Sequence, residues 1–168
     1  MTKSEETEAM NKILTWEALK KRVDLHRKEG KTIVFTNGCF DIVHAGHAST
    51  MAFAKQQGDV LIVGLNSDAS VRENKGPNRP VVSEGDRAIV LSALECVGYL
   101  TIFGEKTTVR ILETVRPDVY AKGGDYSLSS LVQEERLTVE SYGGKVVIIP
   151  AVAGQSTTNI IQKISGDK

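Results

Sequence analysis

Thr32-Ile33-Val34-Phe35-Thr36-Asn37-Gly38-Cys39-Phe40-Asp41-Ile42-Val43-His44-Ala45-Gly46-His47 decides how this chain folds. Thr32 to Thr36 is a short apolar, β-branched and aromatic run, which reads as a buried strand. A glycine-containing turn follows, and from Ala45 the pattern turns helical as far as Gln57, with Gly58 as the stop. Strand, glycine turn and helix in succession are the opening of a parallel α/β unit.

The same alternation continues outward. Val60 to Leu65, Tyr99 to Phe103, Val119 to Ala121 and Val146 to Ile149 read as further strands. Between them lie helical stretches at Ser83–Leu94, Thr108–Val115 and Leu128–Tyr142, and a last one at Thr157–Ile164. Ser83 and Asp86 stand at capping-box spacing. Arg116-Pro117 closes one helix, since the residue before proline avoids the helical region. Upstream, Thr15 caps a helix to about Glu29 with Gly30 as its end, and residues 1–11 read as a frayed tail. Short continuous apolar strands separated by helices are buried on both faces. With right-handed crossovers they make an α/β fold: a single Rossmann-like doubly wound domain with a five-stranded parallel sheet. We divide the chain into residues 1–30, tail and helix, and 31–168, the main domain.

Composition excludes some functions. The 168 residues suit one core, and Lys plus Arg equals Asp plus Glu at 21 each, so no net field draws the chain to nucleic acid or an anionic membrane. No apolar run approaches the ~20 residues that span a bilayer. Cys39 and Cys96 form no CxxC pair, and the polar, acidic start lacks the order of a secretory signal, so a reducing cytoplasm is the expected setting.

Open parallel sheets bind ligands beyond the carboxyl ends of their strands, so the residues there carry the functional reading. After the first strand, Gly38 permits a tight turn, and His44 and His47 share one face of a helix start. Gly46 between them removes a side chain where a nucleotide could approach. Free N–H groups and the positive dipole end favour phosphate there. Two imidazoles can donate hydrogen bonds as charge builds on a transferring phosphoryl group. An isolated His-x-x-His reads as two surface histidines or half a metal site. No cysteine, and no third histidine outside the first helix, completes a metal set, and the place after a strand favours function.

After the second strand, Asn66, Ser67 and Asp68 precede Arg72, Lys75 and Arg79, a stretch that reads either as a mobile anion-receiving loop or as a solvated one. After the fourth, Lys122-Gly123-Gly124-Asp125-Tyr126 allows close backbone approach, with Lys122 and Asp125 as ligand contacts or a plain flexible turn. After the fifth, Ser156, Thr157 and Thr158 open a helix, where hydroxyls serve as caps or cradle phosphate. A lone helical arginine such as Arg87 is ordinarily a surface residue. Neither GxGxxG nor a Walker loop is present.

Thr36 to His47 resembles the T-x-G-x-F-D-x-x-H-x-G-H signature of the cytidylyltransferase-like nucleotidyltransferases, and Ser156-Thr157-Thr158 resembles that family's closing S-T-T. The resemblance runs from about residue 31 to 165. Asn66-Ser67-Asp68, Asn78-Arg79-Pro80-Val81 and Lys122 to Tyr126 are similar to its heptose 1-phosphate adenylyltransferase branch. A sugar kinase often precedes that domain, and at this length the resemblance implies the free-standing form.

The resemblance implies transfer of AMP from ATP to a sugar 1-phosphate, with release of pyrophosphate. His44, His47 and Arg87 would act on the phosphates. Thr36, Asn37, Gly38, Phe40, Gly46, Lys122, Gly123, Asp125, Ser156, Thr157 and Thr158 would bind the nucleotide, and Asn66, Asp68 and Lys75 the acceptor. Mg²⁺ would accompany the ATP, with no protein ligand visible. The expected assembly is a homo-oligomer, a dimer or higher, without nucleic acid or membrane. A glycerol 3-phosphate cytidylyltransferase using CTP and a non-catalytic nucleotide sensor remain open alternatives.

Overall fold

The structure is a computed structural model that describes residues 9–124, 127, 129–150 and 154–166. Its elements run α1 (Trp16–Lys28), β1 (Ile33–Gly38), α2 (Ala45–Lys55), β2 (Val60–Asn66), α3 (Asp68–Lys75), α4 (Glu84–Ser92), β3 (Tyr99–Phe103), α5 (Val109–Val115), β4 (Val119–Gly123), α6 (Gln133–Ser141), β5 (Lys145–Ile149) and α7 (Thr157–Ser165).

All five strands are parallel, in the order β3-β2-β1-β4-β5. Each strand alternates its side chains between two cores. Val34, Leu61, Val63 and Leu65 face Met51 and Ala54 of α2 and Ala88 and Leu91 of α4. Ile33, Phe35, Val60 and Ile62 face Leu19 and Val23 of α1, Ile111, Leu112 and Val115 of α5, and Val139 of α6. Burial on both faces explains why the strands read as unbroken apolar runs. It is complete in β2, all seven of whose residues are buried, and partial at the edge strand β5. This is the doubly wound sheet expected from the sequence. No helix among the described residues is long and apolar enough to cross a membrane.

Most helix boundaries follow local chemistry. The Thr15 hydroxyl accepts from the Ala18 N–H, and the Ser83 hydroxyl accepts from Asp86. Three expectations need correction. Residues 66–75, taken as a loop, hold α3: the Ser67 hydroxyl accepts from the Ser70 N–H and nucleates the turn. The helix expected from Leu128 begins at Gln133. The described end of the tail, residues 9–11, is helical with Ala9 buried, and just beyond it Lys12 and Leu14 hydrogen-bond Leu100 of β3 through their backbones.

The strand order reverses between β1 and β4. Crossovers lead from β1 to one side and from β4 to the other, so a crevice opens where the carboxyl ends of these two strands diverge.

Candidate active site

A cavity of about 530 Å³ occupies this crevice, a volume that suits a nucleotide-sized ligand. Thr36, Asn37, Gly38, Phe40, His44, Gly46 and His47 line it from β1 and the start of α2. Lys122 and Gly123 line it from β4, Ser156, Thr157 and Thr158 from α7, and Asn66 and Lys75 from β2 and α3. Asp125 lies outside the described residues.

The loop after β1 is tightly folded. Phe40 adopts φ +45°, uncommon for a residue with a bulky side chain, and turns its ring back over Gly38. A Cβ on Gly38 would lie 3.0 Å from that ring. Gly38 thus closes β1 as its last strand residue, and the space it leaves is for Phe40 rather than for a tight turn. Gly46 is similar: its missing Cβ would meet the His44 ring at 3.0 Å and Gln155 at 3.1 Å. It makes room for the histidine more than for a ligand.

His44 caps α2 with its side chain, Nδ1 accepting from the Gly46 N–H at 3.1 Å. An accepting Nδ1 places the neutral ring's proton on Nε2, which is then the donor. The His47 ring stacks on His44 at 3.8 Å and meets Phe40 edge-on at 5.2 Å. Burial lowers the His44 pKa. Burial, and next the neighbouring His44, push His47 down to about 4. Both rings are therefore neutral donors at neutral pH. At α7, the Ser156 hydroxyl accepts from the Asn159 N–H at 3.0 Å, so it is a cap, with its proton left to donate.

Two assignments are corrected by placement. Arg87 is 1% exposed and does not line the cavity. Its Nε donates to Val82 O at 2.9 Å, its Nη1 to Cys39 O and its Nη2 to Asp68 Oδ1 at 2.7 Å. The α4 helix points this guanidinium inward, where it satisfies carbonyls of the loops on either side. Asp68 is spent on that pair and is likewise off the cavity wall.

The sequence reading missed several wall residues. Asp41 is buried beneath the cavity, accepting from Arg79 Nε and from the Val81 and Val82 N–H groups. Burial alone would raise its pKa, but the Val82 and Arg79 hydrogen bonds hold it below the ordinary carboxylate value. It thereby ties the loop before α2 to the loop before α4. Asn74, Phe103, Lys106 and Glu135 also line the cavity, as does Arg79 of the stretch read as anion-receiving. Lys106 follows β3, so the strand-end rule could have found it. Glu135 sits in a charged helical run that offers no such signal.

The wall carries Lys75, Arg79, Lys106 and Lys122 against the carboxylates of Asp41 and Glu135. Both carboxylates face cations already. The residual charge is positive, as a polyanionic ligand requires.

The cytidylyltransferase-like family matches residues 35–163, which hold all of this wall. The chain belongs to that family. It is accordingly a nucleotidyltransferase. Among the family's curated members, the bifunctional protein HldE of Syntrophotalea carbinolica is 49% identical over 154 residues, 92% of this chain and 31% of that protein. HldE of Geobacter metallireducens is 50% identical over 153 residues, 91% of this chain and 31% of that one. The chain thus spans about a third of the length of these relatives. Among solved structures, the lipopolysaccharide core biosynthesis protein from Thermoplasma volcanium is similar with a TM-score of 0.60 and 26% identity, over 73% of this chain and 98% of that one. Pantoate-β-alanine ligase from Francisella tularensis shares the fold, with a TM-score of 0.62 at 14% identity, over 91% of this chain and 76% of that one.

Proposed function

We propose that the chain transfers AMP from ATP to D-glycero-β-D-manno-heptose 1-phosphate, giving ADP-heptose for lipopolysaccharide core assembly in the cytoplasm. The observation that carries this reading is that the stretches resembling the heptose 1-phosphate adenylyltransferase branch meet at one cavity. They contribute Asn66, Arg79 and Lys122-Gly123-Gly124, beside the family signature from Thr36 to His47. The near-half identity to HldE proteins and the likeness to a lipopolysaccharide core biosynthesis protein support it.

In this proposal an oxygen of the sugar phosphate attacks the α-phosphorus. The bond from that phosphorus to the β-bridging oxygen breaks, and pyrophosphate carries away the electron pair. No enzyme nucleophile is needed, and catalysis rests on positioning and charge neutralisation. His44 and His47 donate to the triphosphate, Ser156 to Thr158 hold its terminal phosphates, and Lys75 receives the sugar phosphate. Among the described residues no three His, Cys, Asp or Glu side chains converge to hold a metal. Mg²⁺ would be carried on the phosphates of ATP, where it would neutralise charge.

The test is pyrophosphate release with ATP or CTP, crossed with heptose 1-phosphate or glycerol 3-phosphate. Turnover confined to ATP with the heptose is expected. Turnover confined to CTP overturns the reading, and ATP binding without turnover on any acceptor makes the chain a sensor.

The neutral histidines give a second expectation. A triphosphate beside them favours their charged forms, so binding should raise both pKa values and draw protons from solution. At pH 6, ATP binding is expected to show net proton uptake, read by calorimetry in buffers of different ionisation enthalpy. Zero uptake would remove the histidines from the phosphate site.

A further inference from the structure

At the cavity floor, between the ends of β1 and β4, a buried polar cluster joins Asn37 and Lys122 of the recognised motifs to Thr108, Tyr120 and Glu135, which no recognised motif contains. Glu135 of α6 is 3% exposed and is held on three sides. The Thr108 N–H donates to Oε1 at 3.0 Å, the Tyr120 hydroxyl donates to Oε2 at 2.9 Å, and Lys122 Nζ stands 3.5 Å from Oε2. Lys122 Nζ also donates to the Tyr120 hydroxyl at 2.9 Å and to Asn37 Oδ1 at 3.0 Å. Tyr120 lies 2.8 Å from the same Asn37 oxygen.

The donor inventory fixes the direction of this cluster. An ammonium only donates, so the Asn37 atom facing it has to be the oxygen. That leaves the Asn37 amide N–H₂ for the cavity, which Asn37 and Lys122 both line. Tyr120 has a single proton, and a charged carboxylate is a stronger acceptor than an amide. Glu135 therefore takes that proton, which leaves the tyrosine oxygen to accept from Lys122.

We propose that Glu135 is a positioning residue for nucleotidyl transfer: it holds the Lys122 ammonium and the Asn37 amide so that both present hydrogen-bond donors to a phosphate oxygen at the floor between β1 and β4. The inference rests on the proposed function for its ligand and on the geometry for its direction. Burial lowers the Lys122 pKa, with the Glu135 charge opposing. Burial alone would raise Glu135, yet the Lys122 charge and the Thr108 hydrogen bonds keep it below its ordinary value. Among the described residues, Tyr120 on its own strand and Cys39 after β1 also face Lys122. Burial pushes the Cys39 thiol up, which favours its neutral form. Without the Glu135 charge, Lys122 loses its proton at lower pH, becomes an acceptor, and releases the Asn37 amide.

The experiment compares wild type with Glu135→Gln in two ways. The Lys122 ¹³Cε resonance is titrated, and pyrophosphate release from ATP and heptose 1-phosphate is followed from pH 6 to 9. In the variant the Lys122 midpoint should fall by about one pH unit or more, and turnover should decline towards the alkaline end relative to pH 6 more steeply than in wild type. A merely structural glutamate would lower turnover equally at every pH. The double variant Lys122→Met/Glu135→Met guards against misfolding, because a buried ion pair replaced by apolar residues usually leaves the fold intact. It should melt cooperatively and bind ATP at least tenfold more weakly, on the order expected for charge-assisted contacts. Wild-type turnover in the double variant, or an unshifted Lys122 midpoint in Glu135→Gln, overturns the inference. Absence of turnover in the wild type overturns the proposed function instead, while the titration still decides the role of Glu135.

Discussion

His47→Ala should slow nucleotidyl transfer by about 10²-fold or more while the protein stays folded, as when a donor to transition-state charge is lost. The His47 ring stacks on His44, meets Phe40 edge-on and is neutral at neutral pH. A neutral imidazole in a fixed stack donates without needing to be charged first, so the loss should fall on kcat more than on the KM for ATP. The wild-type kcat/KM, which reports the free enzyme, should also stay flat through neutral pH as far as this residue is concerned, because burial pushes its pKa down to about 4 before ATP binds. Steady-state pyrophosphate release gives both constants, and a thermal melt shows that the fold survives. Turnover equal to wild type would take His47 out of the chemistry.

The second large effect is on stability. Arg87→Ala is expected to cost about 3 kcal/mol or more, since it removes one partner of a buried ion pair and strands two loop carbonyls. At roughly 2–4 °C per kcal/mol for a chain of this size, the melting temperature should fall by roughly 6–12 °C. Asp68, whose side chain is 27% exposed, can recover some hydration, which sets the expectation at the lower end of the range for buried pairs. Arg87→Lys should restore only part of the loss, because one ammonium cannot span Val82, Cys39 and Asp68 as the planar guanidinium does. An alanine variant melting within about 2 °C of wild type would show that Arg87 does not hold these loops together.

These two residues show what was legible in the sequence. The histidines could be placed because local pattern alone positions them: strand, glycine, then two same-face residues at a helix start. The doubly wound sheet was legible for the same reason, since burial on both faces writes each strand as an unbroken apolar run. Arg87 was readable as helical, but the direction it faces depends on how α4 packs against two loops that join it only in the fold. Asp68 and α3 were obscured together. A polar, charged octet capped by Ser67 has the composition of a loop, and its helix is held by Val71 in the core and by Arg87. Glu135 is the extreme case: its partners stand 13, 15 and 27 residues away at Lys122, Tyr120 and Thr108, beyond the reach of any local pattern.

The backbone contacts of Lys12 and Leu14 with Leu100 have a consequence for how the molecule keeps to itself. A bare outer strand is a template on which another chain can add a strand. Here the chain's own leading segment occupies that rim beside β3, and at the other rim β5 opens with the exposed charge of Lys145. The segment before α1 thus covers part of the β3 edge on which a second chain could add a strand. A version of the protein shortened past Leu14 would give up that cover while its cavity remained whole.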